Sequence, residues 1–188
     1  MTRIVAGRFG GRRLAAPPGA HTRPTSDRVR EGLFNTLGSL TDLTGARFAD
    51  LYAGSGAVGL EALSRGAAHV LLVESDPRAA RTARSNVAGL GVSDQVRLVT
   101  APVRVALAGG PEDGRPYDVV FADPPYATGE DELDAVQRAL VEHGWLAPGG
   151  LAVIERSRRS TPLSWVDSIT AVRERRYGET VLWYGRRS

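Results

Sequence analysis

The chain of 188 residues contains no cysteine. That excludes a disulfide framework and any thiolate metal site, and it leaves the redox compartment open. Lysine is missing as well: all 24 basic side chains are arginine. Genome composition alone can produce that bias, yet the planar guanidinium also suits phosphate and guanine contacts. No apolar run approaches the roughly 18 residues of a membrane span, and the basic N-terminus has no apolar core of the signal-peptide kind. No internal repeat, low-complexity tract or interdomain linker interrupts the chain. With 42% hydrophobic residues, the composition is that of a globular protein with a real core. A cytoplasmic monomer with no membrane partner is the expectation, since no export signal is present and the pattern leaves no long apolar stripe uncovered.

The charge is unevenly placed. Residues 1–30 hold seven arginines (Arg3, Arg8, Arg12, Arg13, Arg23, Arg28 and Arg30) against one acid, Asp27, for a net of +6. The whole chain is +3, so residues 31–188 carry −3. A basic head on a mildly acidic body suits a polyanion-binding arm; a solvated tail is the alternative. The stretch "RIVAGRFGGRRLAAP" reads as two short strands, 3–6 and 12–15, around a Gly-rich turn. Residues 1–20 are therefore expected to form an ordered hairpin arm, with 21–188 as the main domain. Phe9 falls at the arm's tip among arginines, a mix that stacks on bases and holds phosphates. The arm's low apolar content predicts little contribution to the core.

Thr25, Ser26 and Asp27 offer N-cap candidates, and Val29, Leu33, Phe34 and Leu37 share one helical face, which predicts a helix over 26–39. Strands and helices then alternate: "RFADLY", "HVLLVE", "QVRLVT", "YDVVFAD" and "GLAVIER" read as strands with helical segments between them. That alternation means a parallel α/β sheet covered on both faces. The last two segments, "SITAVRERRYG" and "ETVLWYGRR", are strand-like with only a Tyr-Gly turn between them. They are expected to pair antiparallel at the sheet edge.

Two loops carry the chemistry. The first strand runs into "DLYAGSGAVG", where Gly54, Gly56 and Gly59 form a G-x-G-x-x-G turn into a helix. Such glycines let the backbone approach a ligand, and the helix start offers free N–H groups. Glu74 ends the next strand, 20 residues after Gly54, a position from which a carboxylate accepts from ribose hydroxyls. This pair fits a nicotinamide dehydrogenase as well as an S-adenosylmethionine site. Asp50 favours the latter, because an acid beside the loop repels a pyrophosphate and attracts a cationic amino-acid moiety. The second loop is Asp123-Pro124-Pro125-Tyr126, at the end of the fourth strand. Prolines cannot donate to a ladder, so the strand stops there. Strands one and four flank the switch in strand order, so both loops are expected over one cleft.

These stretches, with the terminal hairpin, resemble the class I S-adenosylmethionine-dependent methyltransferases; "DPPY" is similar to the signature of the branch that methylates exocyclic amino groups of bases. "IVAGRFGGRRLAAP" and "TRPTSDRVREGLFN" resemble one family specifically, the bacterial 16S ribosomal RNA guanine-N2 methyltransferases. The resemblance implies a Rossmann-like fold, a seven-stranded mostly parallel sheet with an antiparallel C-terminal hairpin, plus the N-terminal hairpin and helix. It implies S-adenosyl-L-methionine bound by Asp50, Tyr52, Gly54, Ser55, Gly56, Glu74, Asp76 and Ala101. It implies 16S rRNA of the small subunit or an assembly intermediate as partner, held by Arg3, Arg8, Phe9, Arg12, Arg13, Arg23, Arg28 and Pro125. The wider superfamily often places an acid or amide after the third strand for the adenine amino group; here, with Ala101-Pro102, that contact either comes from the backbone or is missing.

The chemistry supports those roles. A guanine amino group is a poor nucleophile because its lone pair is conjugated into the ring, and acceptors on both its N–H bonds free that pair. Asp123 offers a carboxylate, Pro124 a carbonyl fixed by the next proline, and Tyr126 a flat face for a flipped base. No metal is required. The competing readings are a DNA-adenine or protein-glutamine methyltransferase, a non-catalytic RNA-binding relic and, more distantly, a dehydrogenase.

Overall fold

The computed structural model describes residues 2–17 and 26–188. Arg23, one of the expected RNA contacts, lies outside the described residues, as does the boundary at residue 20. A hairpin of β1 (Thr2–Arg3) and β2 (Arg13–Leu14) comes first, followed by α1 (Asp27–Leu40). The alternating part is β3 (Arg47–Leu51), α2 (Ala57–Ser64), β4 (His69–Glu74), α3 (Pro77–Leu90), β5 (Val96–Thr100), α4 (Val103–Ala106), β6 (Tyr117–Ala122), α5 (Glu130–Glu142) and β7 (Leu146–Ser157). The chain closes with β8 (Ile169–Tyr177) and β9 (Thr180–Arg187). The main sheet has the order β5-β4-β3-β6-β7-β9-β8. Its first five strands are parallel, and β9 inserts antiparallel between β7 and β8. The Rossmann-like fold and its terminal hairpin are as expected, and β3 and β6 lie side by side at the switch.

The strands are nearly continuous apolar runs because both faces are covered. Phe48, Val70, Leu72, Val119 and Phe121 face one core with α1, α2 and α3. Ala49, Leu51, Leu71, Val73 and Val120 face the other, closed by Val103, Val136, Leu140 and Trp145 around α4 and α5. Helix α1 starts where a cap is available: Ser26 accepts from the Val29 N–H at 3.3 Å.

The N-terminal hairpin corrects two expectations. Its paired strands are only two residues each, Thr2–Arg3 against Arg13–Leu14, shorter than 3–6 and 12–15. Nor is it peripheral to the core: Ile4 and Leu14 are 1% and 2% exposed. The reason is polar as well as apolar. Glu61 on α2 accepts from the Val5 and Ala6 N–H groups at 2.8 and 3.1 Å. The same carboxylate binds the buried Arg30 at 3.3 Å and Arg65 at 2.8 Å. A few apolar residues are enough when the remaining backbone donors find a buried acceptor.

Candidate active site

Sheet register gathers residues that are far apart in sequence. Leu51 pairs with Val73 and with Ala122, and Ala122 pairs with Ile154. The next residue of each strand therefore falls in one row: Glu74, Tyr52, Asp123 and Glu155, on strands about 4.8 Å apart. Tyr52 has φ 61°, and among the described residues no other non-glycine residue has a positive φ. For a ring-bearing residue that is a strained conformation of the kind held at functional sites. Burial is the main cause that pushes its hydroxyl up to about 12; Glu132 adds to the shift and Arg156 opposes it.

The glycine loop hangs from this row. Glu74 accepts the Gly54 N–H at 2.8 Å and the Asp76 N–H at 2.7 Å, and Asp76 in turn caps α3 through the Arg78 N–H at 3.0 Å. Gly56 enters α2 in the left-handed region, φ 83°, where a side chain would be strained. A Cβ at Gly59 would stand 2.5 Å from Leu72, so only glycine lets α2 sit this close to the sheet. In front of Gly54 an added Cβ meets nothing within 4 Å; that space is open to a ligand. Asp50 is 1% exposed and accepts the Gly59 N–H at 2.9 Å, underneath the loop. Burial raises its carboxyl well above the usual range, Gly59 opposes that, and Glu74 and Glu155 add to it. Ala101, after β5, donates its N–H to the Glu74 carbonyl at 3.1 Å.

Asp123 continues β6 into the Pro-Pro corner, its N–H 3.3 Å from the Leu51 carbonyl. Burial pushes its carboxyl up to about 8; Glu155 and Asp50 add to the rise and Arg156 opposes it. Pro124 is buried and Pro125 exposed. Tyr126 is 64% exposed, with its ring free to meet a base. The loop is clamped by a residue the sequence reading did not single out. Arg156 on β7 is buried and donates to the carbonyls of Pro125 at 3.2 Å, Tyr126 at 3.4 Å and Thr128 at 3.2 Å. The available signal was a charged pair, Glu155-Arg156, ending an otherwise apolar strand at the cleft edge of the sheet. Asn86 on α3 is a second omission. It donates to the Ser55 carbonyl at 3.0 Å and also bonds Ala15 in both directions, tying the segment after the hairpin to the glycine loop.

The expected RNA contacts divide by position. The N–H groups of Arg8 and Phe9 bind Ser64 at the end of α2, the Arg8 side chain reaches Gln95, and Arg12 reaches the Gly89 carbonyl. All three partners lie at the sheet edge away from Asp123, since α2 and α3 run back from the cleft. The Phe9 ring is packed against the core, with the Arg8 guanidinium 4.5 Å above it. Arg3, paired with Asp27 at 3.7 Å, and its strand partner Arg13 sit at the hairpin's base, close to Arg28 in the first turn of α1. That end faces the cleft.

The family model described as Conserved hypothetical protein 95 matches residues 2–186. The chain belongs to this family. Ribosomal RNA small subunit methyltransferase D of Escherichia coli K12 is 38% identical to it, covering 87% of this chain and 80% of that one. The protein of the same name from Haemophilus influenzae is 34% identical, covering 94% and 89%. Among solved structures, the yhhF protein of Escherichia coli aligns with a TM-score of 0.86 at 35% identity, covering 100% of this chain and 98% of that one. A hypothetical protein from Thermus thermophilus aligns at 0.79 with 35% identity, covering 98% of each chain.

Two expected outcomes follow for this family member. Glu74→Ala removes the carboxylate that the sequence reading expects to meet the ribose and releases the Gly54 and Asp76 N–H groups, so cofactor affinity measured by calorimetry should fall by about 1.5–3 kcal/mol. Unchanged affinity would mean that Glu74 only shapes the loop. Arg156→Ala leaves three loop carbonyls without their common donor. Turnover at saturating substrates should drop at least about tenfold while cofactor affinity stays near wild type, as expected when a catalytic group is misplaced by roughly an ångström. A wild-type rate would show that the Pro-Pro corner holds Asp123 alone.

Proposed function

We propose that this chain transfers the methyl group of S-adenosylmethionine to the exocyclic N2 amino group of a guanine in 16S rRNA of the small ribosomal subunit. The observation that carries the reading is the carboxylate-lined cleft, with Glu74, Asp123 and Glu155 in one row and Asp50 beneath the glycine loop. Such a cleft attracts a cationic sulfonium and amino-acid moiety, and it repels the pyrophosphate of a dinucleotide. The open space before Gly54 and the Glu74 carboxylate suit the nucleoside half. The names of the relatives point to small-subunit rRNA as the substrate.

S-adenosylmethionine supplies an electrophilic methyl group. The chain's own residues orient the acceptor. Asp123 accepts one N–H of the guanine amino group, and the Pro124 carbonyl, fixed by Pro125, accepts the other. The nitrogen lone pair, freed from the ring, forms the N–C bond as the C–S bond breaks. The proton that N2 loses passes to Asp123 or to water. Tyr126 holds the flipped base by stacking. Arg3, Arg13 and Arg28 suit the phosphates nearest the cleft, whereas Arg8, Phe9 and Arg12 can touch only RNA that extends to the far edge. In this reading the enzyme works as a cytoplasmic monomer.

The test is to incubate the protein with labelled S-adenosylmethionine and, separately, small-subunit particles, free rRNA, DNA and protein. Nucleoside digestion should yield labelled N2-methylguanosine from rRNA. Label confined to DNA adenine or to a glutamine side chain would overturn the reading.

A further inference from the structure

The chain has a second basic segment. Residues 157–188 hold seven arginines against Asp167, Glu174 and Glu179, a net of +4. With +6 in residues 1–30 and +3 overall, residues 31–156 carry −7. The fold places part of this second segment beside the cleft. Ser157 of β7 and Tyr177 of β8 both pair with Thr180 of β9. Glu155, in the row of Asp123, lies only two residues before Ser157. Arg158 and Arg159, just past β7, and Arg175 and Arg176, at the end of β8, therefore stand at the same sheet edge as the catalytic loop. Strands β7, β9 and β8 extend roughly 5–15 Å sideways from β6.

These guanidinium groups are accessible. Arg158 and Arg175 are exposed. The Arg159 side chain is 88% exposed and 3.6 Å from Glu179; that of Arg176 is 59% exposed and 3.9 Å from Glu174. Exposed pairs of this kind stabilise a fold very little, so a phosphate can displace the carboxylates at low cost. Arg28 joins the same corner, because Gly32, one turn further along α1, lies against the Tyr177 ring. Other arginines of the hairpin are used internally: Arg173 bonds Ser39, and Arg186 bonds the Leu40 and Gly149 carbonyls, at the opposite edge. On the sheet face opposite α1, next to the Thr128 carbonyl that Arg156 holds, α5 begins with Glu130, Asp131 and Glu132, which repel a phosphate backbone from that face.

We propose that Arg28, Arg158, Arg159, Arg175 and Arg176 form a basic collar that holds the phosphates of the RNA strand flanking the target nucleotide, so that the strand leaves the cleft over β7, β9 and β8. This rests on the reading of the chain as an RNA methyltransferase. The collar and the hairpin base then grip the RNA on the α1 side of the cleft, and the acidic start of α5 excludes it from the opposite face.

The test compares Arg158→Gln/Arg159→Gln and Arg175→Gln/Arg176→Gln with Arg81→Gln/Arg84→Gln, an equal charge change at exposed positions of α3. Each collar pair should lower the log–log salt slope of RNA binding by about 1.5 and raise KM for RNA about tenfold, because each phosphate contact contributes about 0.7–0.9 to the slope. Cofactor affinity and the rate at saturating RNA should stay at wild-type values, and the α3 pair should leave slope and KM in place. If wild-type protein methylates rRNA and both collar pairs keep its slope and KM, the collar is wrong and the activity stands. An α3 pair that lowers the slope equally would also overturn the collar, reducing it to net charge. Wild-type protein that methylates no RNA removes the parent reading and this one together.

Discussion

Asp123→Ala should cut the methylation rate by about 10²-fold or more, the scale of losing a positioned catalytic group, while cofactor affinity stays nearly unchanged. Asp123 stands at the end of β6, bonded to the Leu51 carbonyl, whereas the glycine loop is held by Glu74, Asn86 and Asp50, none of which hydrogen-bonds to it. Single-turnover assays with saturating rRNA, beside calorimetry for the cofactor, separate the two effects. A variant that keeps most of the rate would move the chemistry to the Pro124 carbonyl alone.

The same carboxyl predicts a pH signature. Its pKa is raised to about 8, chiefly by burial, with Glu155 and Asp50 adding to the rise. An acid whose folded pKa lies above its unfolded value binds its proton more tightly in the native state. Its contribution to stability is complete below the unfolded pKa of about 3.9 and is lost as pH rises through about 8. Thermal melts between about pH 5 and pH 9 should therefore show wild-type protein losing stability toward alkaline pH, with Asp123→Ala flatter over that range. Activity runs the other way, because the ionised carboxylate is the better acceptor: kcat/KM should climb toward pH 8, and a bound sulfonium should shift the rise to lower pH. Parallel melting curves for the two proteins would show that this carboxyl ionises as it does in the unfolded chain.

Glu61→Ala should be the most destabilising single change. Its carboxylate is fully buried and serves four donors: Arg30, Arg65, and the N–H groups of Val5 and Ala6. Arg30 keeps its contacts to Asp27, Thr2 and the Arg3 carbonyl, but its Nε loses the buried Glu61 acceptor. Removing one partner of a buried pair costs about 3–5 kcal/mol, a large part of a typical 5–15 kcal/mol stability. In a domain of this size that lowers Tm by roughly 6–20 °C. Since the lost acceptor also docks the hairpin, proteolysis should then begin in residues 2–14. Replacing the pair, Glu61→Leu with Arg30→Met, should recover only the part due to the buried Arg30 charge, because the Val5 and Ala6 N–H groups still lack their acceptor. A Tm for Glu61→Ala equal to wild type would show that water reaches the network in the folded protein.

Much of the molecule is legible in one dimension. Apolar runs of five or six residues alternating with helical segments allow little but a parallel sheet covered on both faces, and Gly54, Gly56 and Gly59 between such a strand and helix mark a ligand loop. Asp123-Pro124 must end a strand because proline cannot donate. These are local consequences of backbone chemistry, available before any contact is known. Tertiary structure decided the rest. Register put Glu155 and Arg156 beside the Pro-Pro loop, and register depends on how the β6 and β7 side chains fill the two cores. Glu61 reads as a surface helix acid in "GLEALS" until the hairpin folds over α2 and buries it with Arg30. The arginines of the head look alike in sequence, yet Arg30 is sealed in that network, Arg8 and Arg12 are at the far edge, and Arg3, Arg13 and Arg28 are near the cleft. Composition can count charges, but only packing determines which of them water, or a phosphate, can reach.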